Sequence, residues 1–137
     1  MVGEAGVLVT SVIYVKDGEH LRFLILDAGM NDLLRPSLYG ARHEIVPLRR
    51  VDGPLLPCDV VGPICETGDT FARGLELPAL EAGDRVAIRN AGAYGAVMAS
   101  TYNTRPLVPE VLVDGGRGRV VRRRVAAADL IALDTVE

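Results

Sequence analysis

Short runs of apolar and β-branched residues, each closed by Gly, Pro or Asp, recur along the whole chain. Such runs favour extended strands, because branched side chains pack well on a pleated surface and the closing residues favour turns. Only residues 126–133 have the composition of a short helix. We therefore expect an all-β domain, a Greek-key β-barrel or sandwich with at most one or two short helices.

Two glycine-containing turns predict two β-hairpins. Asp17-Gly18 separates residues 7–15 from residues 21–26, and Asp114-Gly115-Gly116 separates residues 110–113 from residues 118–121. Asp-Gly and Gly-Gly pairs tolerate the positive φ angles that tight hairpin turns need. The remaining pattern predicts strands at residues 85–89 and 96–99, and loops at residues 34–41, 62–70 and 90–95.

The size and charge of the chain limit its organisation and its partners. With 137 residues, of which 49% are hydrophobic, the chain is long enough for one core, and no repeat or linker divides it. We expect a single β-domain over residues 1–137. The net charge of -3 argues against nucleic-acid binding, and the basic run at residues 122–124 is interpreted as a solvated strand edge. Without a long apolar run or a signal segment, we expect a cytoplasmic protein that binds no membrane.

Cysteine, lysine and histidine are scarce, which restricts the chemistry available. Cys58 and Cys65 are expected to be free thiols in a reducing compartment. The single lysine, Lys16, lies in a turn-like stretch, so a mechanism that needs a buried catalytic lysine must find it outside this chain. His43 has no second ligand nearby and is expected to form a structural hydrogen bond; we expect no metal site.

Three segments carry side chains that could act on a ligand. Arg35 and Tyr39 lie four positions apart, and a guanidinium suits a carboxylate ligand, although Arg35 could equally cap a loop carbonyl beside a packed tyrosine. Cys65 and Glu66 place a thiol beside a carboxylate in a Gly- and Pro-framed loop, where they could also be a buried cysteine and a solvated glutamate. Tyr94 lies among small residues that could let the backbone approach a phosphate or carboxylate, or form a plain turn.

Taken in order, four segments resemble the diaminopimelate decarboxylases, members of the fold type III pyridoxal phosphate enzymes. The resemblance covers nearly the whole chain. The segments read Asp27-Ala28-Gly29-Met30-Asn31-Asp32-Leu33-Leu34-Arg35-Pro36-Ser37-Leu38-Tyr39, then Gly62-Pro63-Ile64-Cys65-Glu66-Thr67-Gly68-Asp69, then Gly92-Ala93-Tyr94-Gly95, then Tyr102-Asn103-Thr104-Arg105-Pro106.

The resemblance implies a role for each candidate residue. Arg35 and Tyr39 would bind the substrate meso-diaminopimelate, and Glu66 would hold its distal ammonium group. Cys65 would be the catalytic proton donor, and Tyr94 would contact both the substrate and the pyridoxal phosphate cofactor. The fold implied is the carboxy-terminal β-domain of alanine racemase and ornithine decarboxylase-type enzymes.

The resemblance also implies that the chain is a fragment. In the family, an α/β barrel that precedes this domain holds the cofactor on a lysine, and a homodimer completes the site. We therefore expect the missing amino-terminal barrel and a second subunit as partners, and no activity from the fragment alone. Two alternatives stay open: a decarboxylase domain for ornithine, arginine or carboxynorspermidine, and a non-catalytic β-barrel binding module.

Overall fold

The computed structural model describes residues 2–19 and 21–135. Strands dominate the described residues, and the helices are short. The strands are β1 (Leu8–Asp17), β2 (Arg22–Leu26), β3 (Ile45–Pro47), β4 (Leu55–Val61), β5 (Thr70–Pro78), β6 (Arg85–Ile88), β7 (Glu110–Asp114) and β8 (Arg117–Arg122). The helices are α1 (Arg35–Tyr39), α2 (Ala127–Ile131) and single 3-10 turns at Gly3–Ala5, Ala96–Met98 and Tyr102–Thr104.

Six strands form one strongly bent sheet in the order β3-β6-β1-β2-β4-β5, and β7 and β8 form a separate hairpin. Among the described strands, only β2 and β4 run parallel. Strand β1 serves both halves of the sheet, because its first residues pair with β6 and its later residues pair with β2. A register shift between Val12 and Tyr14 follows directly after the change of partner, and such irregularities bend a strand. The barrel-like, all-β prediction is confirmed.

One apolar core fills the inside of this sheet. Leu26, Val60, Val86 and Ile88 are fully buried, and Leu80 closes one side of the same cluster. Strand β2 buries alternate residues, Leu24 and Leu26, as a strand with one solvated face should. Each fully buried aliphatic side chain contributes roughly 1.5–3 kcal/mol relative to an exposed one.

Both predicted hairpins are present. Strands β1 and β2 are antiparallel on either side of the first turn, so Lys16 lies at the exposed end of β1 and not in a turn. In the second hairpin, Gly115 and Gly116 take φ angles of 52° and 76°, which only glycine adopts readily. The short helix predicted near residue 126 is α2. Across residues 2–19 and 21–135, no helix is both long and apolar enough to cross a membrane.

Two local predictions were wrong. Residues 96–99 form no strand; a 3-10 turn occupies Ala96–Met98, directly after a turn at residues 92–95 in which Tyr94 has a φ of 58°. Residues 34–41 are not a plain loop, since Arg35–Tyr39 is helical. The signals for this helix were Pro36 in its first turn and Gly40, whose φ of 62° ends it.

Candidate functional site

A buried aspartate joins the two loops that carry most candidate residues. The Asp69 carboxylate accepts hydrogen bonds from the backbone N–H of Met30 at 2.6 Å and from that of Ile64 at 2.7 Å. The backbone N–H of Gly62 donates to the Asp69 carbonyl at 2.9 Å, which closes the base of the loop of residues 62–69. The ends of this loop are therefore held in place, and the loop carries the Cys65 and Glu66 side chains between them.

A second polar network holds the loop after β2 to the segment that follows the Ala96–Met98 turn. The Asp32 carboxylate accepts from the Gly29 N–H at 2.9 Å and from the Asn31 amide at 3.0 Å. Arg105 Nε donates to the Asn31 side-chain oxygen at 3.0 Å, and another Arg105 nitrogen donates to the Asp27 carbonyl. Segments distant in sequence thus share one set of hydrogen bonds around the buried Asp32.

Burial raises the pKa of both aspartates in these networks. Desolvation raises the pKa of Asp69, while the N–H groups of Ile64 and Met30 act in the opposite direction. Desolvation likewise raises the pKa of Asp32, opposed by the Gly29 N–H and by the positive charge of Arg105. Both carboxylate oxygens of Asp69 and of Asp32 accept a hydrogen bond in the structure, so these two groups hold the loops in place.

Cys65 and Glu66 lie at the exposed tip of the loop of residues 62–69. The Cys65 thiol is free and exposed, and Cys58 is free and buried, so the expectation of two unpaired thiols is confirmed. Glu66 Oε1 accepts a hydrogen bond of 2.5 Å from the Tyr102 hydroxyl. That hydrogen bond, together with the negative charge of Glu66, raises the pKa of Tyr102. The loop therefore presents a thiol and a carboxylate to solvent.

The Arg35 guanidinium lies near two tyrosine rings. Its guanidinium carbon is 5.8 Å from the centre of the Tyr39 ring and 5.4 Å from that of Tyr94, within the range of cation–π attraction. Tyr39 is one helical turn beyond Arg35, which explains why their side chains meet. Within residues 2–19 and 21–135, no carboxylate lies within 4.0 Å of the Arg35 guanidinium and no loop carbonyl accepts from it, so the loop-capping alternative is not what the structure shows.

Helix α1 also touches the loop that carries Cys65. A Cβ atom added to Gly68 would lie 2.6 Å from Ser37 Oγ, so α1 and the loop of residues 62–69 are in close contact. The structure thereby brings Arg35 and Tyr39 to the same end of the sheet as Cys65 and Glu66, and Tyr94 joins them through its contact with Arg35. All five predicted residues belong to this one end.

The small residues around Tyr94 pack closely against other parts of the chain. A Cβ on Gly92 would lie 2.2 Å from the Val2 carbonyl, and a Cβ on Gly95 would lie 2.2 Å from the Ala91 carbonyl. These glycines permit close packing of this chain on itself. That they also let the backbone approach a ligand stays a prediction. Tyr94 itself remains exposed, with its ring against Arg35.

The candidate residues lie on an open surface. A cleft of about 180 Å³ beside them is lined by Met30, Asn31, Leu34, Ser100 and Tyr102. A larger groove, of about 870 Å³, runs between α1, residues 40–43 and β5. Neither contains Arg35, Tyr39, Cys65, Glu66 or Tyr94 in its lining. His43 borders the groove, and its Nδ1 lies 2.9 Å from the Arg89 carbonyl, so its predicted structural role is confirmed.

The barrel-like sheet and the residues at its end define a class of accessory domain found in vitamin B6-dependent enzymes. Residues 2–92 match the sequence model of a family described as pyridoxal-dependent decarboxylase, C-terminal sheet domain. The match covers well over half of the chain, and the chain belongs to this family.

Within that class, similarity is high to the diaminopimelate decarboxylases. The chain is 50% identical over 135 residues to that of Helicobacter pylori, covering 98% of the chain and 33% of the relative. It is 54% identical over 132 residues to that of Pseudomonas fluorescens, covering 96% of the chain and 32% of the relative. It therefore spans about a third of the length of these curated relatives.

Among solved structures, similarity is likewise high to a diaminopimelate decarboxylase. The crystal structure of the Helicobacter pylori diaminopimelate decarboxylase complexed with L-lysine matches with a TM-score of 0.90 and 50% identity, over 96% of this chain and 32% of that one. A lysine/ornithine decarboxylase from Vibrio vulnificus, complexed with cadaverine, matches with a TM-score of 0.70 and 28% identity, over 77% of this chain and 29% of that one. Of the two, the diaminopimelate enzyme is the more similar.

The family implies a pyridoxal phosphate cofactor, and the residues present fit one side of its site. Tyr94 is 59% exposed, so its ring and hydroxyl are free to contact a planar, phosphorylated ligand. Lys16 is exposed on β1, where its Cα is paired with that of Phe23, and it belongs to none of the loops that carry the candidate residues. The exposed Tyr94 is therefore open to a contact with the cofactor, and this contact stays a prediction.

Proposed function

We propose that this chain is the carboxy-terminal β-domain of an enzyme that converts meso-2,6-diaminopimelate to L-lysine and carbon dioxide. The observation that carries the proposal is the state of Arg35, which lies within cation–π range of Tyr39 and Tyr94 with no carboxylate partner among the described residues. An arginine held in this way is ready to bind a carboxylate from a ligand. The 50% identity to diaminopimelate decarboxylases supports the choice of substrate.

The two ends of the substrate explain why both Arg35 and Glu66 are needed. Diaminopimelate carries a carboxylate and an ammonium group at the end that does not react. Arg35, with the Tyr39 ring beside it, binds that carboxylate, and the exposed Glu66 binds that ammonium group. A substrate that lacks either group leaves a charged side chain of the enzyme unpaired, which disfavours its binding.

We propose that Cys65 delivers a proton at the reacting end. When bound, pyridoxal phosphate supplies an electron sink for the bonding pair that carbon dioxide leaves behind. The exposed Cys65 thiol then donates its proton to the reacting carbon, while Tyr94 orients both substrate and cofactor. A thiol on a loop with a fixed base suits this role, because proton transfer depends on a well-defined distance.

The open surface of the site supports a composite active site. Because the five candidate residues border neither the cleft nor the groove, a second surface must exclude water from them. We propose that this surface comes from an amino-terminal α/β barrel and from the second subunit of a homodimer. We further propose that the enzyme acts in the cytoplasm, where the Cys65 thiol stays reduced.

A hybrid enzyme tests the proposal. Joining this chain to the amino-terminal two thirds of the Helicobacter pylori relative should restore lysine formation from diaminopimelate. In that hybrid, Cys65→Ala should lower kcat by roughly 100-fold or more and leave KM little changed. Glu66→Gln should raise KM by roughly 30-fold or more, since a charged partner is removed.

The controls separate these roles from general damage. Glu81→Gln changes an exposed glutamate on a different loop and should leave both constants unchanged. The chain alone, with pyridoxal phosphate and diaminopimelate, should release carbon dioxide no faster than free cofactor does. Full activity of Cys65→Ala would remove Cys65 from the proton-donor role, and turnover by the chain alone would contradict the composite site.

A further inference from the structure

A short hydrogen bond links Glu66 to a residue that the proposed function does not use. Tyr102 donates to Glu66 Oε1 at 2.5 Å, although the two residues are 36 positions apart in the sequence. Both are exposed, and exposed glutamates ordinarily exchange between rotamers. A bond from a phenol to a carboxylate is of the stronger, charge-assisted type, so it restricts that exchange.

Several contacts restrain the backbone on either side of Tyr102. Asn103 and Thr104, the next two residues, have φ angles of 58° and 57°, a region that side-chain-bearing residues rarely adopt. Tyr102 N–H donates to Ser100 Oγ at 3.3 Å, and Arg105 is bonded to the side chain of Asn31. Tyr102 also lines the cleft of about 180 Å³ described above. The backbone that carries Tyr102 is therefore tied to its surroundings, and the hydrogen bond to Glu66 orients the ring.

The hydrogen bond occupies only one oxygen of the Glu66 carboxylate. Among the residues that the structure describes, Glu66 Oε2 has no hydrogen-bond or ion-pair partner. We propose that Tyr102 is a positioning residue that holds Oε1 so that Oε2 faces the distal ammonium group of the substrate. This inference rests on the proposed function of Glu66 and adds the residue that sets its orientation.

The arrangement makes Tyr102 a determinant of specificity. With Oε1 occupied by a fixed phenol, Glu66 presents one oxygen in one direction, which suits an ammonium group at a set distance from the reacting carbon. Without the phenol, the carboxylate regains its rotamers and must be ordered each time a substrate binds. Loss of the phenol therefore weakens binding of the distal ammonium group and leaves the proton transfer by Cys65 unchanged.

The first part of the test measures the pair in this chain without any cofactor. The Glu66 carboxylate raises the pKa of Tyr102, so Glu66→Gln should bring that pKa back towards its ordinary value. The ultraviolet absorbance of ionised tyrosine follows the titration of the four tyrosines, and Tyr102→Phe identifies which step belongs to Tyr102. A Tyr102 titration that Glu66→Gln leaves unchanged would show that the pair does not form, and would overturn the proposal.

The second part measures the consequence for substrate selection in the hybrid enzyme. Tyr102→Phe should raise KM for meso-diaminopimelate by roughly tenfold and leave kcat within about twofold. For 2-aminopimelate, which lacks the distal ammonium group, KM should not change. Tyr14→Phe, at an exposed tyrosine on β1, is the matched control and should change neither constant.

The outcomes distinguish the inference from the function on which it rests. If Glu66→Gln weakens the preference for a substrate with the distal ammonium group and Tyr102→Phe does not, Tyr102 is not a positioning residue, while the proposed function is unaffected. If Glu66→Gln itself leaves selection intact, the role of Glu66 is wrong and that of Tyr102 falls with it. An equal rise in KM for both substrates would mean that Tyr102 serves the fold alone.

Discussion

Two parts of this chain contain similar strands but differ in what the strands bury. Every buried residue of the described chain lies between Thr10 and Gly95, within or beside the six-stranded sheet. The hairpin of β7 and β8 has no buried residue, although it is rich in valine. Its exposed apolar side chains are Val111, Leu112, Val113, Val120 and Val121.

The difference shows that strand formation and core formation depend on separate sequence features. The β7–β8 hairpin follows from a Gly-Gly turn and β-branched residues, which act locally. A core needs a further strand or sheet on the apolar face, and the bent sheet gives one to β1, β2 and β6. A lone two-stranded hairpin is marginal in water, so the two regions should respond differently to the same mutation.

The largest contrast should come from truncating one leucine in each region. Leu26 is fully buried on β2, and Leu112 is half-exposed on β7. Leu26→Ala should lower the free energy of unfolding by about 2–5 kcal/mol, because it removes buried contacts and leaves a cavity. Leu112→Ala should change it by less than about 0.5 kcal/mol. Urea unfolding followed by circular dichroism measures both, and equal losses would show that the hairpin is part of the same cooperative unit.

A pair of glycines gives the second contrast. A Cβ on Gly62 would lie 2.3 Å from both oxygens of the Asp69 carboxylate, which two backbone N–H groups hold in place. Gly62→Ala should therefore cost about 1–3 kcal/mol of unfolding free energy through overpacking. In the hairpin, a Cβ on Gly118 would meet only Val111 Cγ1, at 3.4 Å. Gly118→Ala should be tolerated, and thermal unfolding that places both variants at the same Tm would contradict the fixed position of Asp69.

The smallest effect should be an acid transition confined to α2. Arg123 donates to Asp129, as does the Ala126 N–H, and these contacts lower the pKa of Asp129 to about 2 from 3.8. Because the folded pKa lies below the unfolded value, this contribution is present above about pH 3.8 and is lost as the pH falls towards 2.

Nuclear magnetic resonance of the α2 amides should show this transition, while the amides of β2 stay unchanged. Asp129→Asn removes the charge and should abolish the transition. Loss of the α2 and β2 signals at the same pH would mean that the two regions unfold together.

Local chemistry made much of this fold predictable. Asp17-Gly18 and Gly115-Gly116 indicate their hairpins because turn residues act over a few positions. Pro36 and Gly40 likewise mark the start and the end of α1. The segment was nevertheless predicted to be a loop, because it is short and contains Pro and Gly. Residues 96–99 resemble a strand in composition, but the turn at Tyr94 leaves them with no strand to pair with.

The candidate residues could be proposed from sequence, but the contacts that hold them could not. Asp69 reaches Met30 across 39 positions, and Arg105 reaches Asn31 across 74. Nothing in the local sequence of Asp69 or Arg105 specifies a partner so distant. Tyr102 was likewise visible in a motif, and only the folded chain shows that its hydroxyl meets Glu66.

The hydrogen bonds made by Asp69 hold the loop of residues 62–69 without help from the side chains at its tip. Asp69 itself is buried, whereas Cys65, Glu66 and Thr67 are exposed and contribute nothing to the core. Substitutions at an exposed loop tip ordinarily change stability little. The residue beside Cys65 can therefore change during evolution, and the substrate preference with it, while every intermediate sequence still folds.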